Sequence, residues 1–184
     1  MTAPAPGFDW SSVLGPELCT STRAKAGTMF LLQGKKGVIL YFSAHWCPPC
    51  RAFTPQLAEL YLNHLRPQGL EVVFVSMDQG EGQWREYCAT MPWLSLPYGS
   101  ALREGLGGKY GISGIPALVV LGPGGEVVTT DGRAMLQKDP TCSTFPEGWR
   151  AGPGGVLSSP GLVLVVAVAV YFLVRYLQTG NIMQ

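Results

Sequence analysis

Apolar positions along this chain take three forms, and each form points to a different element. Val38–Phe42 (VILYF) and Val72–Val75 (VVFV) are unbroken apolar runs, the pattern of strands covered on both faces. Between them Phe53, Leu57, Leu60, Tyr61 and Leu65 recur at helical spacing, which predicts a helix with one buried stripe. That helix is expected to start at the prolines after Cys47, where a first turn tolerates them, and to kink at Pro55. Segments 82–91 and 101–110 read as surface helices, the second weakened by Gly105, Gly107 and Gly108. Ala117–Leu121 and Glu126–Thr130 flank Gly122-Pro123-Gly124-Gly125, a hairpin signal. Residues 1–36 read as an irregular lead-in with a short strand around Met29–Leu32. The order strand, helix, strand, helix, hairpin and final segment predicts an α/β domain with a mixed sheet over residues 1–150.

The pattern changes after Arg150. Residues 151–161 (AGPGGVLSSPG) read as a flexible linker. Leu162–Val174 is wholly apolar over 13 residues, short enough for a buried core helix. Extended from Val156 to Leu177 the stretch has 22 residues and would span roughly 33 Å as a helix. Tyr171 and Tyr176 lie near one end, where an interfacial aromatic is favoured, and no polar face marks an amphipathic surface helix. We expect a C-terminal membrane-anchor helix over 162–177 followed by a short tail, 178–184. So short a helix suits a thin bilayer, the endoplasmic reticulum or the mitochondrial outer membrane.

Composition sharpens this in two ways. Apolar residues make up 47% of the 184, and the C-terminal block accounts for the surplus over an ordinary soluble domain. The formal net charge is +1, which removes any electrostatic argument for nucleic acid as a partner. The opening MTAPAPGFDW has neither a basic nor an apolar leader region, so the body of the protein is expected to face the cytosol. In that reducing compartment five cysteines do not imply a disulfide framework, and a C-x-x-C pair reads as redox or metal chemistry.

The pair is Cys47 and Cys50, in YFSAHWCPPCRAF. Cysteines three apart at a helix start lie on one face with Cα atoms about 5–6 Å apart, within the range a disulfide accepts. The helix N-terminus favours a thiolate at Cys47. Pro48 and Pro49 carry no N–H, so the donors left to face that thiolate are the Cys50 thiol, its N–H and the groups after it. The prolines also stiffen the turn. Cys47 would then attack a substrate disulfide, and Cys50 would resolve the mixed disulfide. Trp46 offers a flat apolar surface beside an exposed Cys47 sulfur.

Other readings compete. Zinc needs four ligands, and Cys19, Cys88, Cys142, His45 and His64 each stand alone, so neither a metal nor another cofactor is expected. An inert staple is the other alternative. Cys19, Cys88 and Cys142 read most simply as small buried hydrophobes, with an exposed, regulatory thiol as the lesser alternative for Cys142, which lies in a polar, loop-like stretch. His45 either perturbs Cys47 or is simply an exposed residue at a strand end, and His64 reads as idle. Ile115–Pro116 sits just before the strand-like Ala117–Leu121 run, where a proline must mark a strand's start.

W-C-P-P-C-R, then F-T-P, VVFVSMD, M-P-W-L, Y-G-I-x-G-I-P, E-V-V-T and a late F-P follow one another from about Gly34 to Trp149. In this order they resemble the tryparedoxin and nucleoredoxin branch of the thioredoxin superfamily. The resemblance implies a thioredoxin fold, a central mixed sheet flanked by helices. It implies that Cys47 is the exposed nucleophile and Cys50 the resolving thiol. It also implies that Ile115–Pro116 is a cis peptide against the pair, with the Ile115 backbone receiving the substrate chain. Trp46, Pro48, Pro49, Ile115 and Pro116 would thus line the substrate. Tryparedoxins are oxidoreductases of kinetoplastid parasites that pass electrons from the dithiol trypanothione to peroxiredoxins, and some carry a hydrophobic tail. Asp139-Pro140 to Phe145-Pro146 matches their closing pattern. Nucleoredoxins share many motifs, which keeps open a redox-sensing binding module that gates a partner without turnover. Thioredoxins place a buried aspartate where this chain has Tyr41, so a proton acceptor for Cys50 is expected elsewhere, in water or Asp78.

Overall fold

The computed structural model describes residues 7–150. The chain divides into two units, Met1–Trp149 and Arg150–Gln184. The linker and the anchor helix expected at 151–177 therefore lie outside the described residues. Among the described residues no helix is long and apolar enough to cross a membrane.

The two apolar runs form the centre of the sheet. β3 (Gly37–Ser43) and β4 (Leu70–Ser76) pair in parallel, from Gly37 opposite Leu70 to Ser43 opposite Ser76, and both are buried along their whole length. β6 (Ala117–Leu121) pairs antiparallel with β3 on the other side, and β7 (Val127–Thr129) closes the expected hairpin. The sheet has seven strands in the order β2-β1-β5-β4-β3-β6-β7. Its further members are β1 (Glu17–Cys19), β2 (Lys25–Gly27) and β5 (Leu94–Ser95). These three are too short to show alternation, so no sequence signal marked them.

Strand alternation divides the core into two layers. Ile39, Tyr41, Val72, Phe74, Leu118 and Val120 face one side, against Leu57 of α3 (Pro48–Leu60), Trp84 of α4 (Glu81–Cys88) and Leu136 of α6 (Gly132–Lys138). Val38, Leu40, Phe42, Val73, Val75 and Val119 face the other. There they meet Leu14 of α1 (Ser11–Leu14), Leu32 of α2 (Thr28–Leu32) and Leu106 of α5 (Leu102–Lys109).

One expectation is corrected. Met29–Leu32 is helical, in α2. Met29 and Leu32, three apart, turn to the same core layer while Phe30 between them is 84% exposed, a helical and not an alternating pattern. α3 is helical on both sides of Pro55, and a π turn follows it at Tyr61–Leu65. The surface helix expected over 82–91 is α4, which buries one face through Trp84, Tyr87 and Cys88 and exposes the other.

Candidate active site

The site forms where the ends of β3, β4 and β6 converge. Pairing of Phe42 with Ala117 brings Pro116 beside the end of β3. Pairing of Ser43 with Ser76 brings Met77 and Asp78 beside the turn that leads into α3. Register alone thus gathers segments far apart in sequence.

Cys47 caps α3 in an extended conformation, and Pro48 and Pro49 open the helix. The proline φ suits a first turn and the missing N–H groups are no loss there. The remaining donor is Cys50 N–H, 3.3 Å from Cys47 Sγ. The two cysteines are joined in a disulfide with Cα atoms 5.2 Å apart. Ile115–Pro116 is cis, and the Ile115 carbonyl lies 3.9 Å from Cys47 Sγ. The sulfur is less open than expected. Cys47 is only 4% exposed and Cys50 fully buried, both within the core cluster against which Ile115 packs. Trp46 is half-exposed, and its indole N–H donates to the Met77 carbonyl at 3.3 Å.

Asp78, one of the proton acceptors expected for Cys50, is fully buried; its Oδ1 accepts the His45 N–H at 2.7 Å, and its Oδ2 accepts the Ser76 hydroxyl at 2.8 Å. Arg103 donates to its carbonyl at 2.8 Å. A carboxylate at the end of β4 is therefore spent on closing the turn before Trp46. His45 is half-buried, its ring 5.8 Å from that of Tyr87, which is a more enclosed position than a free strand end.

Hydroxyls occupy the space beneath Cys50. Thr54 Oγ1 donates to the Cys50 carbonyl at 3.0 Å and lies 2.8 Å from the Tyr41 hydroxyl and 2.5 Å from that of Tyr87. Ser43 Oγ donates to the Tyr41 hydroxyl at 2.9 Å and sits 3.0 Å from the Tyr87 hydroxyl. Burial pushes the Tyr41 phenol well above its ordinary range, so Tyr41 acts here as a neutral hydroxyl. Sequence reasoning missed Thr54, Tyr87 and Ser43, since a hydroxyl acquires this role only through its neighbours. It also missed Arg133, which donates to the Pro116 carbonyl at 3.3 Å with its guanidinium 5.1 Å from the Phe53 ring. Arg133 borders a cleft of about 340 Å³ that runs along Pro116 and Ala117.

The remaining cysteines are all buried. Burial pushes the Cys88 and Cys142 thiols up to about 12, and the Cys19 thiol up as well. Cys142 takes the buried alternative: the loop around it wraps Asp139 and turns the thiol, 1% exposed, into the core. Among the described residues no group of three His, Cys, Asp or Glu is placed to hold a metal ion. A cleft of about 450 Å³ beside Trp10, Lys36 and Phe145 opens near the start of β3, the opposite end of that strand from the cysteines.

Comparison with known proteins agrees with this geometry. A thioredoxin-like family model matches residues 34–127. A probable nucleoredoxin 3 of Oryza sativa subsp. japonica is 48% identical over 105 residues, 56% of this chain and 22% of its own length. A tryparedoxin of Trypanosoma brucei brucei is 42% identical over 132 residues, 69% of this chain and 90% of its own length. The solved structure of tryparedoxin II complexed with glutathionylspermidine superposes with a TM-score of 0.66 at 37% identity, over 72% of this chain and 92% of that one. The chain spans roughly a quarter of the length of the curated nucleoredoxins it matches, and nearly all of the tryparedoxin. The Cys47–Cys50 couple, its helix start and its cis-proline make up a thiol–disulfide oxidoreductase site. The chain belongs to the thioredoxin-like family, in its tryparedoxin and nucleoredoxin branch.

Proposed function

We propose that this protein relays electrons from a low-molecular-weight dithiol of the trypanothione type to protein disulfides, peroxiredoxins among them. The observation that carries the reading is the closed Cys47–Cys50 disulfide at a helix start, with the Ile115 carbonyl 3.9 Å from Cys47 Sγ. In the reductive half, a thiolate of the donor attacks Cys47 Sγ and the Cys47–Cys50 bond breaks. The electron pair stays on Cys50, which takes a proton. The donor's second thiol displaces Cys47, so the donor leaves as a disulfide and Cys47 is freed as a thiolate. In the oxidative half, that thiolate attacks the substrate disulfide and expels one sulfur. Cys50 then attacks Cys47, the second substrate sulfur leaves as a thiol, and the Cys47–Cys50 bond is restored.

The chain's own groups have distinct parts in this. The Cys50 N–H and the α3 N-terminus stabilise the Cys47 thiolate. Pro48 and Pro49 hold the turn, Trp46 gives the substrate an apolar platform, and Ile115 and Pro116 offer it a backbone edge. Similarity over 90% of the length of a tryparedoxin, and the glutathionylspermidine held by another, support the choice of donor. We further propose that residues 162–177 anchor the protein to the endoplasmic reticulum or mitochondrial outer membrane, with the catalytic domain facing the cytosol and peroxide detoxification as its setting. The support for this is the uncharged apolar block alone.

The test is NADPH consumption by the full chain with a protein disulfide, supplied in parallel by trypanothione with its reductase and by thioredoxin reductase. Turnover with trypanothione is the expected result. Turnover with thioredoxin reductase alone overturns the donor assignment. A single oxidation with no cycling in either arm overturns the relay and leaves a sensor that gates a partner.

A further inference from the structure

The loop that follows β4 has three consecutive carbonyls, at Met77, Asp78 and Gln79, and each accepts a hydrogen bond from a side chain outside the loop. The Trp46 indole N–H donates to Met77 at 3.3 Å, Arg103 Nη1 to Asp78 at 2.8 Å and the Tyr98 hydroxyl to Gln79 at 3.1 Å. A surface loop ordinarily leaves such carbonyls to water. The Asp78 carboxylate adds a further tie by accepting the His45 N–H at 2.7 Å. Both residues that precede Cys47 are thus held by this one loop, His45 through its backbone and Trp46 through its indole.

Arg103 brings a tie from the other side of the sheet. α5 packs through Leu106 into one core layer, whereas Cys50 and Leu57 of α3 belong to the other. The guanidinium therefore reaches round the end of β4 to a loop that supports the cysteine site. Of the three donors it alone is charged, and hydrogen bonds from charged groups are the stronger ones. Its Nη2 lies 4.0 Å from the carboxylate of Glu104, whose side chain is 88% exposed, a pair too weak to direct the guanidinium elsewhere. The Asp78 carbonyl fixes where Arg103 points. Trp46 is half-exposed and its indole is bonded to the neighbouring carbonyl, so a shift of the loop is a shift of the indole.

We propose that Arg103 is a positioning residue for the recognition of protein disulfides: by holding the Asp78 carbonyl it sets the loop and, through Met77, the angle at which Trp46 meets a substrate chain. The inference rests on the reading of Trp46 as the substrate's platform. A polypeptide that lies on Trp46 and along the Ile115–Pro116 edge needs both surfaces at once, whereas a small disulfide needs only the Cys47 sulfur. Arg103 thereby favours protein disulfides over small ones and takes no part in the bond exchange.

The test uses the prereduced full chain, so the identity of its reductant plays no part. It is mixed with excess insulin, a protein disulfide, or with bis(hydroxyethyl) disulfide, a small one, and the loss of free thiols at Cys47 and Cys50 is followed. Arg103→Met keeps the apolar stem and removes the donors. In it the insulin concentration for half-maximal rate should rise by roughly threefold to tenfold, part of the worth of a charge-assisted hydrogen bond. The limiting rate and the rate with the small disulfide should not change. Arg103→Lys restores one donor and should recover most of the insulin affinity. The Trp46 indole N–H resonance in a ¹⁵N–¹H spectrum, identified by its absence in Trp46→Ala, should move in Arg103→Met and return toward its place in Arg103→Lys. An unchanged half-saturating concentration in Arg103→Met overturns the proposal, as does a fixed Trp46 resonance. So does an equal fall of the rates with both disulfides, which is what a general loss of structure produces, or an Arg103→Lys no better than Arg103→Met. Trp46→Ala in the same assay separates the two readings. Insulin affinity lost there and kept in Arg103→Met removes Arg103 alone; affinity kept in both removes the platform as well.

Discussion

A thiolate at Cys47 has one near backbone donor, the Cys50 N–H at 3.3 Å, because the two prolines between the cysteines have none. Replacing Cys47 with serine should abolish disulfide reduction in the coupled assay, since the attacking atom is gone. Replacing Cys50 with serine should leave the attack intact and the resolution absent, so mixed disulfides on Cys47 should accumulate in non-reducing mass spectra. Asp78 acts at one remove, as a positioning residue. In Asp78→Ala the His45 N–H and the Ser76 hydroxyl lose their acceptor inside the protein, a cost of about 1–3 kcal/mol. Denaturant melts should show that loss, and turnover should fall with it as the turn before Trp46 loosens. Asp78→Asn keeps an acceptor oxygen and should recover most of both. A variant Asp78→Ala as stable and as active as the parent would remove Asp78 from the site's support. Of these residues Cys47, Cys50, Trp46 and Pro116 were legible in the sequence, since each sits in a motif with a mechanism. Thr54, Tyr87 and Arg133 were not, because a lone hydroxyl or guanidinium shows its role only when its neighbours are known.

At the scale of elements, α6 carries Arg133 to the Pro116 carbonyl, and it can do so only by lying close on β6. Gly132 makes that approach possible. A Cβ there would stand 2.8 Å from Leu118 Cβ, 2.9 Å from Val120 Cγ2 and 3.0 Å from the Leu118 carbonyl oxygen. Gly132→Ala should therefore destabilise the domain by about 1–3 kcal/mol, as overpacking does, and weaken the hold of Arg133 on the cis-proline loop. Thermal melts of the parent and variant check this; an unchanged midpoint would mean that β6 and α6 can separate at no cost. Long apolar runs and the Gly-Pro-Gly-Gly turn made β3, β4 and the β6–β7 hairpin legible. β1, β2 and β5 were not, since strands of two or three residues are held by their neighbours and not by their own pattern.

At the scale of the whole molecule, Asp139 fastens the end of the domain to the core. Its carboxylate accepts from the Ser143 and Thr144 N–H groups, both of their hydroxyls and the Trp149 indole. Burial works to raise its pKa, but these hydrogen bonds outweigh it and hold the group well below the carboxylate range. A folded pKa below the unfolded value of 3.8 gives stability that is present above that value and is lost as pH falls through it. Melting temperatures of the parent should therefore drop more steeply between about pH 5 and pH 2 than those of Asp139→Asn; parallel curves would rule this linkage out. Extraction of cell membranes with alkaline carbonate tests the anchor in the same whole-molecule sense, since a chain released by that wash is not held by residues 162–177. What the chain determined by itself is local: apolar runs, a helical stripe, two prolines that fix where α3 begins, and a pair of thiols at the spacing of a disulfide. The tertiary structure decided the rest, because convergence is set by strand register. Register brought Pro116 to Cys47 and Asp78 to His45, and the loop that wraps Asp139 turned Cys142 inward. A one-dimensional pattern records which faces are apolar, and it carries no information on which polar groups will meet across them.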